Sequence, residues 1–272
     1  MERTDSRVVT NRPRAVVVVP TYNERENVAR LIPEVLRYPE FDLLVVDDGS
    51  PDGTAGEVRS AQQRAEHAGR LHLIERESKL GLGTAYVAGF KWALQRNYTH
   101  IIEMDADFSH HPAALPRLLA ASRNADLVLG SRYVRGGRTV DWSWRRKLIS
   151  RAGSAYARLM LNVDVRDLTG GFKCFRRHVL ELIDLESVSA TGYAFQIELT
   201  YRTIQRGLRV VEIPITFADR RVGESKMSRA IVTEAMLRVP LLRLGPAQRP
   251  ARAPGRAFAP QTAVARPRRV ID

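Results

Sequence analysis

The sequence is poor in cysteine and has no long uninterrupted apolar run. Its 272 residues include one cysteine, Cys174, which excludes a disulfide framework or a multi-cysteine metal cluster and fits a reducing compartment. No stretch approaches the roughly 18 consecutive apolar residues that a bilayer-spanning helix requires. No apolar signal core precedes Val16, so we also expect no secretion. Hydrophobic residues nevertheless make up 44% of the chain, which is enough for a substantial core.

Acidic residues are scarce in the second half of the chain, and the net charge of +13 is therefore unevenly spread. Residues 15–131 hold 12 basic and 16 acidic side chains, whereas residues 132–240 hold 20 basic and 11 acidic ones. Residues 1–14 add a net charge of +2 and residues 241–272 a net charge of +6. An acidic front half joined to a basic back half favours a site for a metal and anions. We expect no nucleic-acid partner, because no helix-turn-helix, zinc or RNA-binding motif is present.

Strand and helix patterns alternate through the first half of the chain. The predicted strands are Val16–Val19, Leu43–Val46, Leu71–Ile74, a strand led by Ile101-Ile102, and Leu127–Leu129. The predicted helices are a segment reaching about Leu36, Thr54–His67 and Gly83–Gln95. Connections of this length imply right-handed βαβ crossovers, and therefore an α/β fold with a mainly parallel, Rossmann-like sheet flanked by helices.

The second half breaks this alternation. Its predicted elements are a long basic helix over Trp142–Leu161, a strand over Phe172–Phe175, a helix over Tyr193–Gln205, a strand over Val210–Ile215, and a last helix over Ser228–Leu237 that Pro240 stops. We expect one folded domain over residues 14–238. A flexible arm at 1–13 precedes it, and a disordered tail of Arg, Pro and Ala at 240–272 follows it.

Two carboxylates one residue apart follow the fourth predicted strand, in Asp105-Ala106-Asp107. At a strand end, where open α/β sheets bind ligands, they can place oxygens around one hard divalent cation, Mg²⁺ or Mn²⁺. The alternative is an acidic loop before the next helix, with Ser109 as its N-cap ahead of Pro112. The polar clusters that follow Val19 and Val46 at neighbouring strand ends favour the metal site.

Two other polar segments have two interpretations each. Asp47-Asp48 could accept hydrogen bonds from a ribose hydroxyl or a base N–H, but the Gly, Ser and Pro around it also suit a turn. Gly81-x-Gly83 lacks the full spacing of a phosphate loop, and a tight strand-to-helix turn explains it.

The polar and basic residues of the second half also have either a binding role or a surface role. Gln196 and Glu198 either give a helix surface its polarity or contact a substrate hydroxyl. Arginine offers planar bidentate donors that match a phosphate, which suits the cluster Arg132, Arg145, Arg146, Lys147 and Arg151. Solvated positions are expected for Arg135, Arg138, Arg158 and Arg177.

Ordered blocks of the sequence resemble the family-2 glycosyltransferases with a GT-A fold. Those blocks are PTYNE at 20–24, VVDDGSPDGT at 45–54, KLGLGTAY at 79–86 and MDADFSHHP at 104–112. Later blocks are similar to the dolichol/polyprenyl-phosphate mannose synthases: GSRY at 130–133, WRRKLIS at 144–150, DLTGGFKCF at 167–175, GYAFQIE at 192–198 and DRRVGESK at 219–226. The resemblance covers about residues 14–238.

The resemblance implies a donor site at the strand ends. The residues that would cradle the guanosine of GDP-mannose are Pro20, Tyr22, Glu24, Val46 and Asp48. Asp105 would face the donor's diphosphate, Lys226 would reach its phosphates, and Ala106 would contact the nucleotide sugar. Asp107 with Asp105 and Ser109 would hold the Mg²⁺ or Mn²⁺ ion.

The resemblance also implies an acceptor site in the basic half. Arg132, Arg146, Ser150 and Arg220 would receive the phosphate of a polyprenyl or dolichyl monophosphate. The predicted catalytic residues are Asp105, Asp107, Arg132 and Arg220.

The implied reaction is an inverting transfer of mannose from GDP-mannose to that lipid phosphate. Three alternatives remain at this point: a polyprenyl-phosphate glucosyltransferase using UDP-glucose, a sugar nucleotidyltransferase and a polyanion-binding protein. PTYNE is not the Gly-rich basic loop that a nucleotidyltransferase carries after its first strand.

A lipid acceptor implies a peripheral enzyme on the cytoplasmic face of a membrane, with room for an accessory membrane subunit. Residues 228–239 could lie in the membrane interface through the apolar stripe Ile231, Val232, Ala235, Met236 and Val239. The alternative is that this helix packs against the folded domain.

Overall fold

The computed structural model describes residues 14–188, 192–219 and 229–244. The predicted N-terminal arm, Arg220, Lys226 and residues 245–272 lie outside the described residues. None of the described helices is both long and apolar enough to cross a membrane.

Seven of the nine strands in the described part of the chain form one sheet. In chain order the strands are β1 (Ala15–Thr21), β2 (Phe41–Asp47), β3 (Leu71–Glu75), β4 (His100–Glu103), β5 (Leu127–Ser131), β6 (Arg138–Thr139), β7 (Lys173–Arg176), β8 (Val210–Pro214) and β9 (Thr216–Phe217). The large sheet has the order β3-β2-β1-β4-β7-β5-β8, and β6 pairs with β9 separately. Neighbours are parallel except at β7, which runs antiparallel to β4 and β5. The predicted mainly parallel sheet is confirmed.

The helices flank this sheet, and most lie close to their predicted positions. The α-helices among the described residues are α1 (Arg25–Leu36), α2 (Thr54–Gln62), α3 (Leu82–Leu94), α4 (Leu115–Ala121), α5 (Trp144–Leu161), α6 (Arg177–Leu182), α7 (Gly192–Gln205) and α8 (Arg229–Leu244). Short 3₁₀ turns lie at Ala65–His67, Pro112–Ala114 and Ser122–Asn124.

Helix α8 continues through Pro240 to Leu244, so the prediction that Pro240 stops the last helix is wrong. A proline removes one backbone donor and usually ends or bends a helix. Here α8 is anchored by Val239, which is fully buried, and by its Met236 carbonyl, which accepts from the Tyr156 hydroxyl at 2.8 Å. These tertiary contacts outweigh the local penalty, and residues 240–244 belong to the helix rather than to the predicted tail.

The apolar stripe predicted on this helix is partly buried and partly exposed. Val239 packs in the core, as the packing alternative predicts, whereas Met236 is exposed. The side chains of Ile231, Val232 and Ala235 lie outside the described part of the chain.

Strand β1 is buried on both faces because helices cover both sides of the sheet. Val16 and Val18 pack in the same core cluster as Tyr86 and Phe90 of α3. On the opposite face, Val17 and Val19 share a second core cluster with the apolar side of α1. A continuous valine run is typical of a strand that is covered twice.

The carboxyl ends of β1, β2 and β4 meet at one edge of the sheet. Thr21 is the register partner of Asp47, and Val18 is the register partner of Glu103. The polar segments that follow these strands are therefore brought together, as the sequence predicts. The carboxyl end of β5 lies two positions beyond β4, because β7 is inserted between them.

We expect Gly89→Ala to lower the free energy of unfolding by about 1–3 kcal/mol, because α3 crosses the sheet closely at this point. A Cβ atom at Gly89 would lie 2.4 Å from Val18 Cγ1. Gly153 on α5 is the control, since a Cβ there meets nothing within 4 Å. Gly153→Ala should raise stability by about 0.5–1 kcal/mol through helix propensity. Urea unfolding measures both, and equal stability of the two variants would contradict this packing.

Candidate active site

The carboxylate of Asp47, the last residue of β2, accepts its hydrogen bonds from Thr21 and from the turn that follows the strand. Its Oδ1 accepts from Thr21 Oγ1 at 2.8 Å and from Ser50 Oγ at 2.6 Å, and its Oδ2 accepts from the Ser50 N–H at 2.9 Å. The residue is 1% exposed. The turn interpretation of the Asp47-Asp48 pair is therefore correct for Asp47.

Asp48 pairs with Arg76, a residue that the sequence does not single out. Arg76 NH1 lies 2.7 Å from Asp48 Oδ1, and the Gly81 N–H donates to Asp48 Oδ2 at 3.1 Å. Arg76 NH2 also donates to Thr84 Oγ1 at 2.9 Å. Gly81 has φ +101° and directly precedes α3, which agrees with the tight-turn interpretation. Asp48 therefore organises the loop at this edge, and its contact with guanosine stays a prediction.

The other predicted guanosine residues lie at the same edge. The Lys79 ammonium is 4.1 Å from the centroid of the Tyr22 ring, so a cation faces an aromatic surface there. Glu24 is partly exposed where α1 begins, and Pro20 is the register partner of Val46. The Val46 side chain is fully buried in the core that includes α3, so any contact with a nucleotide would come from its main chain.

Asp105-Ala106-Asp107 follows β4 directly. The Asp105 side chain keeps 33% of its surface exposed, and its Oδ1 accepts from the Tyr86 hydroxyl at 3.3 Å. Asp107 is 5% exposed, and its Oδ1 accepts from the Ser109 N–H at 3.0 Å. Burial, reinforced by Asp105, raises the pKa of Tyr86, which keeps this hydroxyl a donor to the carboxylate.

The alternative interpretation of Ser109, as an N-cap, is wrong. His111 takes that role, since its Nδ1 accepts from the Ala113 N–H at 3.1 Å and starts the 3₁₀ turn Pro112–Ala114. Ser109 itself is 2% exposed and lies beside Asp107, where the metal prediction places it.

His110 packs against two aromatic rings and holds the main chain of Asp105. Its ring stacks on Phe172 at a centroid distance of 4.9 Å and meets Phe217 edge-on at 5.1 Å. Its Nδ1 lies 3.3 Å from the Asp105 amide nitrogen, which donates to it. Burial lowers the pKa of His110, and a neutral ring can accept this bond.

Asp105 and Asp107 suit a hard cation whose remaining coordination positions are filled by a bound ligand. In residues 14–188, 192–219 and 229–244, no three His, Cys, Asp or Glu side chains are placed to hold a metal ion. Asp105 and Asp107 offer hard oxygen donors, and Mg²⁺ or Mn²⁺ needs about six ligands. The residues therefore fit an ion that the oxygens of a bound diphosphate would complete.

Two buried ionisable residues of opposite sign lie next to the start of this motif. Glu103 at the end of β4 is the register partner of Lys173 on β7, and both are fully buried. Lys173 Nζ donates to the carbonyl oxygen and to Oε1 of Gln196, both at 2.6 Å. Burial raises the pKa of Glu103 to about 7 and lowers that of Lys173 to about 8, and the opposite charge of each partner opposes these shifts.

Arg132, which follows β5, is held by Asp167. Arg132 Nε donates to Asp167 Oδ2 at 2.8 Å and NH2 donates to Oδ1 at 2.5 Å. NH2 also donates to Thr169 Oγ1 at 2.8 Å. Arg132 is 6% exposed and Asp167 is fully buried. The predicted contact between Arg132 and an acceptor phosphate stays a prediction, because much of this guanidinium is already bound.

Two other predicted acceptor residues lie on α5. Arg146 NH1 is 2.6 Å from Asp219 Oδ1, and its guanidinium lies 4.2 Å from the Trp142 ring centroid. Ser150 Oγ accepts from the Tyr133 hydroxyl at 2.6 Å. Since Tyr133 adjoins Arg132, these contacts bring three of the four predicted acceptor residues to one region.

Burial excludes the surface-polarity alternative for Gln196 and Glu198, and the solvated position predicted for Arg177 is wrong. Gln196 and Glu198 are 3% and 2% exposed, so neither gives α7 a polar surface. Gln196 binds Lys173, and Glu198 pairs with Arg202 one turn later. Arg177 is not simply solvated, because it donates to the carbonyls of Leu94 and Arg96 at 2.5 Å at the end of α3.

Comparison of the sequence with models of known protein families gives one match that spans the strand ends of the site. The model of the family described as glycosyl transferase family 2 matches residues 16–183, which include the strand ends described above. The chain belongs to glycosyl transferase family 2.

Two relatives from this glycosyltransferase family are similar over most of both chains. The polyprenol monophosphomannose synthase of Mycolicibacterium smegmatis is 48% identical over 237 residues, which are 86% of this chain and 89% of the relative. The undecaprenyl-phosphate mannosyltransferase of Micrococcus luteus is 49% identical over 227 residues, which are 83% of this chain and 92% of the relative.

Solved structures confirm the GT-A-like fold. Glucosyl-3-phosphoglycerate synthase from Mycobacterium tuberculosis, in complex with phosphoglyceric acid, has a TM-score of 0.64 and 19% identity, covering 87% of this chain and 81% of that one. The same enzyme with Mn²⁺, UDP-glucose and phosphoglyceric acid has a TM-score of 0.60 and 21% identity, covering 84% and 80%. At this identity the likeness concerns the fold.

Sequence reasoning missed four charged residues of this glycosyltransferase site: Arg76, Lys79, Asp167 and Lys173. Lys79, Asp167 and Lys173 lie within quoted motif blocks, so their position gave a signal. Lys173 also lies in an apolar strand pattern, where a fully buried ammonium is rare unless it is paired, and this pattern hid its role. Arg76 follows β3, and only the parallel register of β2 and β3 brings it to Asp48.

We expect Asp167→Ala to lower the free energy of unfolding by about 3–5 kcal/mol, because Arg132 would be left buried without its counter-charge. Asp164→Ala breaks an exposed Arg–Asp pair with Arg158 and is the control, with an expected change below about 1 kcal/mol. The double variant R132M/D167A should recover part of the loss. Urea unfolding of all three variants measures this, and a D167A value near that of D164A would contradict the buried pair.

Proposed function

We propose that this glycosyltransferase moves mannose from GDP-mannose to a polyprenyl monophosphate, with inversion at the sugar, and yields polyprenyl-phosphate mannose and GDP. The observation that carries the proposal is one sheet edge that presents the Asp105/Asp107 pair beside an arginine-rich second half. Two relatives that are nearly half identical are named for mannosyl transfer to polyprenyl phosphates, which supports the same acceptor class here.

A phosphate acceptor makes a catalytic base unnecessary. A phosphate monoester has its second pKa near about 6, so at neutral pH the attacking oxygen already carries charge. The protein then has to position two anions that repel each other. Arg146, Ser150 and Arg220 would hold the acceptor phosphate, and Arg132 would help to organise that region through Tyr133 and Asp167.

The donor side needs charge neutralisation at the departing diphosphate. Asp105 and Asp107, with Ser109 beside them, would hold Mg²⁺ or Mn²⁺, which when bound supplies positive charge to the leaving group. Lys226 would add a second cation to the donor's phosphates. Tyr22, Glu24 and the main chain at Pro20, Val46 and Asp48 would bind the guanosine.

The acceptor places the enzyme at a membrane. We propose a peripheral enzyme on the cytoplasmic face, because a polyprenyl chain lies in the bilayer and no described helix can span one. An accessory membrane subunit would suit such an arrangement.

The decisive experiment compares GDP-mannose and UDP-glucose as donors, with a short-chain polyprenyl phosphate in detergent and Mg²⁺ or Mn²⁺. We expect transfer from GDP-mannose, and preferred transfer from UDP-glucose would overturn the donor assignment.

Asp107→Ala should lower kcat by at least about 100-fold through lost charge stabilisation. Glu34→Ala, which removes a partly exposed carboxylate that pairs with Arg37 at the end of α1, should leave kcat unchanged. Near-normal turnover of D107A would refute the metal site.

We expect Arg146→Ala to raise KM for polyprenyl phosphate by about 10-fold or more, because a charge-assisted bond to phosphate would be lost. Binding of GDP-mannose should change little. Arg145→Ala, one residue away on the exposed side of α5, is the matched control. Steady-state kinetics and calorimetric donor binding separate the two effects, and equal losses in both would contradict the acceptor assignment.

A further inference from the structure

A cavity of about 630 Å³ lies beside the carboxyl end of β5. Five of its lining residues are arginines, and none of the described residues that line it is acidic. The arginines are Arg132, Arg135, Arg151, Arg158 and Arg166. A concave surface that gathers cations of one sign concentrates anions from solution.

Local structure brings these arginines together from three segments. Gly136 has φ +89°, and a Cβ at Gly137 would lie 2.5 Å from the carbonyl oxygen of Ser131. The chain after β5 therefore turns tightly back on the strand, and Arg135 lies in that turn. Arg151 and Arg158 are seven residues apart on α5 and so share one face.

Nearby carboxylates neutralise only part of this charge. Asp167 binds Arg132, and Asp164 pairs with Arg158 in an exposed pair, which contributes little. Within the described residues, no carboxylate lies within 4 Å of the guanidinium groups of Arg135, Arg151 and Arg166. All three side chains are exposed, so an incoming anion could reach them.

This cavity differs from the proposed acceptor site. Arg146 and Ser150 of α5 do not line the cavity. Arg146 instead pairs with Asp219. Of the proposed acceptor residues that the structure describes, Arg132 alone lines the cavity. The cavity would therefore hold a second phosphate while the reacting phosphate lies elsewhere.

The face of α5 next to the cavity is apolar and exposed. Trp144, Leu148 and Leu159 are 68%, 60% and 72% exposed, and they form a stripe with Ala152 and Ala155 at a spacing of three and four residues. Ala155 also lines the cavity, so the stripe reaches its rim. Lys147, Arg151 and Arg158 follow the edge of this stripe, as in helices that lie in a membrane interface.

Helix α8 extends the apolar surface on the other side of the stripe. It is fixed to α5 by the Tyr156 hydroxyl, which donates to the Met236 carbonyl, and by Arg243, which donates to the Met160 carbonyl at 3.1 Å. Among the side chains of α8 that the structure describes, the exposed large apolar ones are Met236, Leu237, Leu241 and Leu244. An exposed apolar area of this kind, bordered by cations, is typical of a lipid-contacting surface.

We propose that the five-arginine cavity binds the phosphate headgroup of an anionic phospholipid while the α5 stripe lies in the bilayer interface. The proposal rests on the proposed function only in that a polyprenyl acceptor lies in a bilayer. The charge of the cavity selects an anionic headgroup, and the adjoining apolar stripe selects a lipid over a soluble phosphate.

Vesicle sedimentation of the full chain, without nucleotide or polyprenyl phosphate, tests this separately from mannosyl transfer. The vesicles are phosphatidylglycerol with phosphatidylcholine, or phosphatidylcholine alone, at about 0.1 M salt. We expect R135Q/R151Q to bind anionic vesicles about 30-fold more weakly than the parent, at about fivefold per arginine. The control R30Q/R64Q, with the same net charge, should bind within about twofold of the parent.

A second pair of variants tests the stripe. L148S/L159S should lower binding by about tenfold or more, whereas L80S/L82S, which changes exposed leucines elsewhere, should not. Melting curves check that all variants are folded. Equal losses in target and control variants, or equal binding of pure phosphatidylcholine vesicles, would overturn the proposal. Calorimetric binding of inorganic phosphate that depends on Arg135 and Arg151, without vesicle binding, would identify a soluble anion and also overturn it.

Discussion

The buried amine of Lys173 holds the two halves of this site together. Strand β7 lies between β4, which carries the Asp105/Asp107 motif, and β5, which carries Arg132. Lys173 is the register partner of Glu103 on β4, whose charge opposes the effect of burial on the pKa of Lys173, and it donates twice to Gln196 on α7. A charge removed from water is tolerated only when such bonds compensate it, so losing them is costly. Strand β7 and α7 are therefore firmly joined between the predicted donor and acceptor regions.

That rigidity suits a reaction between two anions. The diphosphate and the attacking phosphate repel each other, so their encounter depends on positive charge that is fixed before they bind. The chain meets this need by separating its charges: acidic residues dominate up to Ser131 and basic residues follow from Arg132. The buried Arg132–Asp167 pair stands at the boundary, where it supports Tyr133 and, through it, Ser150.

Periodic patterns predicted the sheet well, because β1 and β2 are covered on both faces and so read as continuous apolar runs. The same reasoning placed the Asp105/Asp107 motif and Asp48 at one edge. It could not find the partners of those residues, since the register that joins Arg76 to Asp48 and the reversed direction of β7 are tertiary features. Pro240 and Gln196 show the same limit, because burial decided their roles against their local preferences.

Helix α5 links the acceptor chemistry to the proposed lipid surface. Arg146 and Ser150 lie on its inner face, Arg151 and Arg158 border the arginine cavity, and the apolar stripe lies beyond them. In the proposed binding mode, the orientation of α5 about its own axis would set the depth of the predicted acceptor residues relative to the bilayer. A polyprenyl phosphate cannot leave the membrane far, because each methylene withdrawn costs about 0.8 kcal/mol. In the proposed binding mode the acceptor face therefore meets the headgroup layer, and α5 has the charges and the exposed apolar surface to set that depth.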